Sequence, residues 1–359
     1  MDKKVITIFM FLLLTFSCNR EQSGFYDAIV DAGDHDKSNN GTPIFKSIKA
    51  ALATVPADNN SPFTIYLKTG RYYEKLTIDK PMVTFLGEDR ESTIISFDAT
   101  GDSEGPDGEK LGTRGCFTLR ITAPDFHAEN LTIENGFDYS ANAAKNDDDP
   151  SKVKNPQAVA LMTEQDNDRA IFRHCTISGY QDTFFGDAGR HYFYQCKILG
   201  HVDFIFGAGQ CLFRECEIVS RNRENKSTTG YITAPSTLAS YPYGFLFQDC
   251  RFTKVDTTVP QASVCLGRPW HPEANLQVSG SAVFIHCFMD DHISAAGYAK
   301  ISSQASNGER IWFELEPDSR FFEYNNYGPG ALESPTRPGL DKKSAQWYTQ
   351  NQLLNGWRP

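Results

Sequence analysis

A chain of 359 residues with 40% hydrophobic and 13% aromatic content has ample material for a sizeable core, which excludes a disordered chain. Its formal net charge of -10 is the wrong sign for a general nucleic-acid binder and says little about a carbohydrate, which is read locally. The 26 Phe and 15 Tyr favour strands over helices.

The first residues, MDKKVITIFMFLLLTFSC, place Lys3 and Lys4 ahead of an apolar run from Val5 to Leu14. This is the pattern of an export signal, short for a membrane span. Residues 1–18 also resemble a bacterial lipoprotein signal with Cys18 as the lipidated residue, which implies a lipid anchor, in the outer membrane, facing the periplasm or the cell surface. Thr15 and Phe16 depart from that pattern, so ordinary secretion stays open. Residues 19–24 then form a short linker, and residues 25–359 form one exported domain, expected to be a monomer.

Tyr26 to Asp34 starts as a strand and ends in a turn. Thr42 is suited to cap a helix with Pro43 at its first position, and Phe45, Ile48, Ala51, Leu52 and Val55 recur at helical spacing before Pro56. One short amphipathic helix is expected here, covering the open end of the β-rich remainder of the chain. Phe63 to Asp79 reads as strand, turn, strand, and VTFLGED and STIISFD continue the pattern. Asp98 to Arg114 is a Gly- and Asp-rich loop. Leu131-Thr132-Ile133 aligns with Cys175-Thr176-Ile177 at a spacing of 44 residues, which reads as two coils with a small insertion. Phe137 to Pro156 is polar and includes Asp147, Asp148 and Asp149; a solvated loop is preferred over a calcium site.

The stretch from His174 to Gly209 contains one unit twice. A shift of 21 residues puts Cys175 on Cys196, Ile177 on Ile198, Gly179 on Gly200 and Asp182 on Asp203. A period of this length belongs to solenoids, whose units bury their apolar sides by stacking. The β-rich unit points to an all-β, single-domain, right-handed parallel β-helix. Neighbouring parallel strands lie about 4.8 Å apart, so Asp182 and Asp203 are expected side by side, titrating as a coupled pair with one pKa raised. The contexts HCTI, QCKI, ECEI, DCRF and HCFM mark one recurring inward Cys position, a ladder of small buried hydrophobes rather than a disulfide or zinc framework. Asn222 to Tyr243 is a long excursion expected to wall a groove. From Tyr298 onward the pattern weakens, and Gln346 to Pro359 is expected to lie across the outside as a tail.

For a lone Asp in a β-helix, turn capping is the ordinary role. Here both sit among aromatics, in YQDTFF and VDFIF, which marks candidate functional carboxylates. Arg268, in VCLGRPWHP, could hold a carboxylate nucleophile with a two-pronged guanidinium, and Trp270 could present a flat face to a sugar. A surface ion pair and a core Trp weigh about evenly against those roles. Gln157 and Gln181 each carry an amide donor able to stabilise an oxyanion, although a strand amide is the simpler role for either alone.

At these residues the chain resembles the pectin methylesterase (pectinesterase) family along almost its whole exported length. The resemblance is carried by GRYYEK at Gly70, Tyr72 and Glu74, by QAVAL from Gln157, GYQDT from Gly179, VDFIFG from Val202, LGRPW from Leu266, and the terminal NGWRP. It implies hydrolysis of the methyl esters of galacturonate in pectin, without metal or organic cofactor. It implies Asp203 as nucleophile, Asp182 as general acid and then base, Gln157 and Gln181 as oxyanion hole, and Arg268 as the group that keeps Asp203 ionised. Trp270, Phe206, Val202 and Thr113 would line the sugar groove. Phe185 stands where the family commonly has Tyr, and Tyr298 where Trp is usual; both are expected to border the groove and alter a subsite. A retaining glycosidase, a polysaccharide lyase and a non-catalytic carbohydrate-binding solenoid are the alternatives, separable by whether methanol, reducing ends, an unsaturated product or none of these appears.

Overall fold

The computed structural model describes residues 26–33, 41–224 and 226–359. The expected signal 1–18, Cys18, the linker 19–24, Phe25 and Asp34 lie outside the described residues. Three parallel sheets of eleven, eight and seven strands run the length of the fold, with hydrogen-bonded neighbours three elements apart through most of each sheet. Each coil therefore gives one strand to each sheet, which is the right-handed parallel β-helix expected. The 21-residue shift is the register itself: Ile177 pairs with Ile198 and Phe184 with Ile205. Asp182 and Asp203 thus occupy equivalent places in adjacent coils.

The interior is built by like stacking on like. Phe172, Phe193, Phe213, Phe247 and Phe284 are in register across the eleven-stranded sheet, with successive ring centroids 4.6, 4.8, 4.6 and 5.0 Å apart. Burying each contributes about 1.5–3 kcal/mol, and each aromatic pair about 0.5–1.5 kcal/mol more. Along the eight-stranded sheet Ile95, Ile133, Ile177, Ile198 and Ile218 form a second column. The cysteines form a third: Cys175, Cys196, Cys216, Cys250 and Cys287 are free and buried, each thiol meeting the next. Burial pushes the thiols of Cys175, Cys216 and Cys250 well up, so they serve as neutral packing groups. The residue before each Cys, from His174 (φ 50°) to His286 (φ 54°), is left-handed and turns the chain between sheets.

Three expectations change. Leu131–Ile133 and Cys175–Ile177 are one coil apart, not two, because Thr132 pairs directly with Thr176; the extra residues leave the coil as a loop between Asn135 and Leu161. Such a detour is tolerated because loop-closure entropy grows only logarithmically with length. The N-terminal helix is Ile48–Leu52, capped by Ser47. Thr42 and Pro43 lie outside it, because Ile44 and Phe45 extend the eleven-stranded sheet by pairing with Ile29 and Val30. The Glu74 carboxylate accepts from the Ile48 and Lys49 amides at 2.7 and 2.9 Å, closing the helix N-terminus. The excursion 222–243 is not all loop, since Gly230–Pro235 is a strand beside Val202–Gly207. The repeat does weaken past Tyr298, where an antiparallel hairpin, Ile301–Gln304 with Arg310–Phe313, leaves the β-helix before Ser319–Tyr324 rejoins it. The tail does cross the outside: Leu353 and Leu354 pack in one cluster with Tyr192, Leu212 and Leu246.

Candidate active site

The outer face of the seven-stranded sheet carries a cleft of about 710 Å³. Its floor is apolar. Phe185 and Phe206, in register on adjacent coils, stack at 4.2 Å, and Trp270 meets their faces edge-on at 6.2 and 5.7 Å.

The two aspartates stand above this floor at the same point of successive turns. Glycine makes each turn tight: a Cβ on Gly200 would meet Phe204 Cβ at 2.2 Å, and one on Gly179 would meet Thr183 Oγ1 at 2.8 Å. The chain can then double back, and Asp182 and Asp203 take left-handed φ of 63° and 50°. Asp tolerates that region better than most residues, and such outliers gather at functional sites. The Asp182 amide donates to the Val202 carbonyl at 3.0 Å, tying one turn to the other.

Arg268 follows the strand Val264–Gly267 and grips Asp203 with both prongs, Nε to Oδ1 at 2.7 Å and Nη2 to Oδ2 at 2.5 Å. Its own amide is held by the Thr233 carbonyl at 3.0 Å, and its guanidinium lies 4.1 Å over the Tyr231 ring. Among the described residues no cation grips Asp182 in this way, and it is only 4% exposed. Burial first, then the charge of Asp203, holds its carboxyl well above the ordinary value; Arg268 and a hydrogen bond from Gln157 offset part of this. One carboxylate is thus held by a cation, while burial and that neighbouring charge favour the protonated form of the other. Gln157 bridges to Gln181 on the next coil, and the Thr113 hydroxyl donates to Gln157 Oε1 at 2.6 Å.

The cleft therefore brings together Asp182, Asp203, Gln157, Gln181, Arg268, Trp270, Phe206 and Thr113. Val202 is not part of its lining; it is 4% exposed and contributes its backbone carbonyl. Phe185 borders the cleft as expected, but Tyr298 does not. That ring is 8% exposed, stacks on Phe321 at 5.0 Å and gives its hydroxyl to Glu323 at 3.3 Å, so it fills the core beneath the hairpin. Sequence reading missed Arg114, Glu273 and the strand Ile301–Gln304, all of which line the cleft. Arg114 lies 4.9 Å over Phe185 and pairs with Asp187 and Glu164 at 2.6 and 3.1 Å. Its signal was one basic residue ending a polar loop. In the loop read as solvated, Asp147 pairs with Lys152 at 2.8 Å and Asp149 binds Ser151.

A family model described as pectinesterase matches residues 36–356. The chain is 41% identical over 365 residues to Pectinesterase A of Dickeya chrysanthemi, covering 98% of this chain and 97% of that protein. Among solved structures it is similar to a pectin methylesterase in complex with a hexasaccharide, at 41% identity and TM-score 0.88 over 94% of this chain and 99% of that one. It is also similar to a pectin methylesterase from Yersinia enterocolitica, at 44% identity and TM-score 0.84 over 87% and 99% of the two chains.

Proposed function

The chain belongs to the pectinesterase family, and from that premise we propose how its cleft carries out the family's reaction. It is a carboxylic ester hydrolase that removes methyl esters from methylated polygalacturonate, releasing methanol. The observation that carries the residue roles is the unlike pair: Asp203 gripped by Arg268, and Asp182 buried in the coil before it with its carboxyl pKa raised.

A methylated galacturonate residue rests against Trp270 and Phe206 with its ester over the aspartates. Asp203 attacks the ester carbonyl, and the oxyanion of the tetrahedral intermediate is met by the amide N–H groups of Gln157 and Gln181. As the bond between the former carbonyl carbon and the methoxy oxygen breaks, Asp182 gives its proton to that oxygen and methanol departs. An acyl anhydride between Asp203 and the sugar remains. Asp182, now a carboxylate, takes a proton from water as that water attacks the galacturonoyl carbon. Collapse frees the Asp203 carboxylate and the galacturonic acid, with Asp182 protonated again. Water and ester enter; acid and methanol leave. Arg268 acts throughout by orienting Asp203 and stabilising its negative form.

The test is product analysis of purified protein on highly methylated pectin. Methanol without new reducing ends or unsaturated uronate is expected; reducing ends or unsaturation in place of methanol would overturn the reading. We also infer that residues 1–18 direct export, that Cys18 carries an outer-membrane lipid anchor, and that residues 25–359 act as one monomeric domain. Labelled palmitate in the wild type and none in Cys18→Ser would support the anchor, and an unlabelled wild type would favour plain secretion.

A further inference from the structure

We propose that Thr113 is a positioning residue, which fixes the direction of the Gln157 side-chain amide so that its N–H groups, and not its oxygen, face the reacting ester. The inference rests on Gln157 being an oxyanion donor. The two ends of a glutamine amide are nearly the same shape, so packing alone does not choose between them. A hydroxyl can give to the oxygen end or take from the nitrogen end, so it chooses only together with the second contact of this amide. Thr113 Oγ1 donates to Gln157 Oε1 at 2.6 Å, and the Gln157 bond to Asp182 lowers that carboxyl's pKa, the effect of an N–H given to a carboxylate. With Oε1 engaged, Nε2 is left for the side of the cleft where Gln157 bonds Asp182.

The surrounding backbone holds both partners of this bond. The Gln157 carbonyl accepts from the Gly101 amide at 2.9 Å, the Gly101 carbonyl accepts from the Gly112 amide at 3.0 Å, and the Thr113 carbonyl accepts from the Cys116 thiol at 3.3 Å. The loop 98–114 is thereby latched to the same residue by main chain and side chain. Gln157 is in turn fixed to the next coil, where the Ala158 amide donates to the Gln181 carbonyl at 3.2 Å. Without the hydroxyl, one of the two bonds that hold this orientation is lost, and the amide turns its oxygen toward the growing negative charge part of the time. The ground-state ester carbonyl bears little charge, so the effect falls on the chemical step and not on sugar binding.

Steady-state methanol release from a methylated oligogalacturonate tests this with Thr113→Val, Thr113→Ser and Gln157→Ala, melting curves serving as the folding control. Removal of one oxyanion donor lowers kcat by about 100-fold or more, and misdirecting it part of the time should lower kcat by roughly 10-fold. Thr113→Val is expected to show that loss with KM changed less than about twofold, Thr113→Ser is expected to restore most of kcat, and the Thr113→Val/Gln157→Ala double variant is expected to be no slower than Gln157→Ala. A raised KM with unchanged kcat in Thr113→Val would make Thr113 a plain sugar contact and overturn the proposal. So would fully additive losses, or an unaffected Thr113→Val beside an impaired Gln157→Ala. If Gln157→Ala itself turns over normally, the oxyanion assignment fails and the positioning role falls with it.

Discussion

The inside of the coils and the outer face of the seven-stranded sheet use one repeat in opposite ways. Inside, equivalent positions hold the same residue, so Phe stacks on Phe and Ile on Ile, and each addition improves on its neighbour by excluding water. Outside, one coil spacing puts two aspartates side by side in unlike surroundings: burial and then the charge of Asp203 raise the Asp182 pKa, while Arg268 grips Asp203. Stacking identical groups makes a rod. Giving two identical groups different neighbours on one face makes a site on it.

The sharpest contrast is in stability. Phe213→Ala interrupts the aromatic column between Phe193 and Phe247 and is expected to cost about 3–5 kcal/mol, measured by denaturant unfolding, with activity per folded molecule retained. A loss below about 1 kcal/mol would mean the column is not what holds the coils. On the outer face the balance tilts the other way. Arg268→Lys keeps the charge but loses the two-pronged grip on Asp203, and kcat/KM is expected to fall roughly 100-fold, about 3 kcal/mol, with the melting temperature little changed.

Asp182→Asn separates the two regions by sign. Its carboxyl is raised in the folded state, so between the ordinary carboxylate value and that raised value the native state holds more protons than the unfolded one. Wild-type stability therefore falls as pH rises through this window. The Asn variant should lose that dependence, and its melting temperature should gain on the wild type as pH increases, while methanol release nearly vanishes. In the wild type, activity should decline as pH rises through the same raised value, because the general acid is lost. An Asn variant that melts below the wild type by the same margin at every pH would contradict this sign.

The repeat was legible where coils follow without interruption. Two consecutive coils of equal length expose the 21-residue shift, and with it the fold, the Cys ladder and the Asp pair. Legibility failed where a loop leaves a coil, since the 44 residues between Thr132 and Thr176 mimic two turns while making one. It failed at Thr42-Pro43, where good local capping chemistry lost to edge pairing of Ile44 and Phe45. Tyr298 is adjacent in sequence to a strand that lines the cleft, yet its ring turns inward onto Phe321, a choice of face that sequence position does not reveal. Thr113 was legible only as a lining residue, because its bond to Gln157 spans 44 positions, across three strands and the long loop after them.

The most direct test of the unlike pair is methanol release from highly methylated pectin by Asp203→Ala beside the wild type, with melting curves for both. Methanol from the wild type and none from an equally well-folded Asp203→Ala is the expected result. Turnover by the folded variant at more than about a thousandth of the wild-type rate, well above what binding and an oxyanion hole alone sustain without the nucleophile, would remove Asp203 from its role and the mechanism with it.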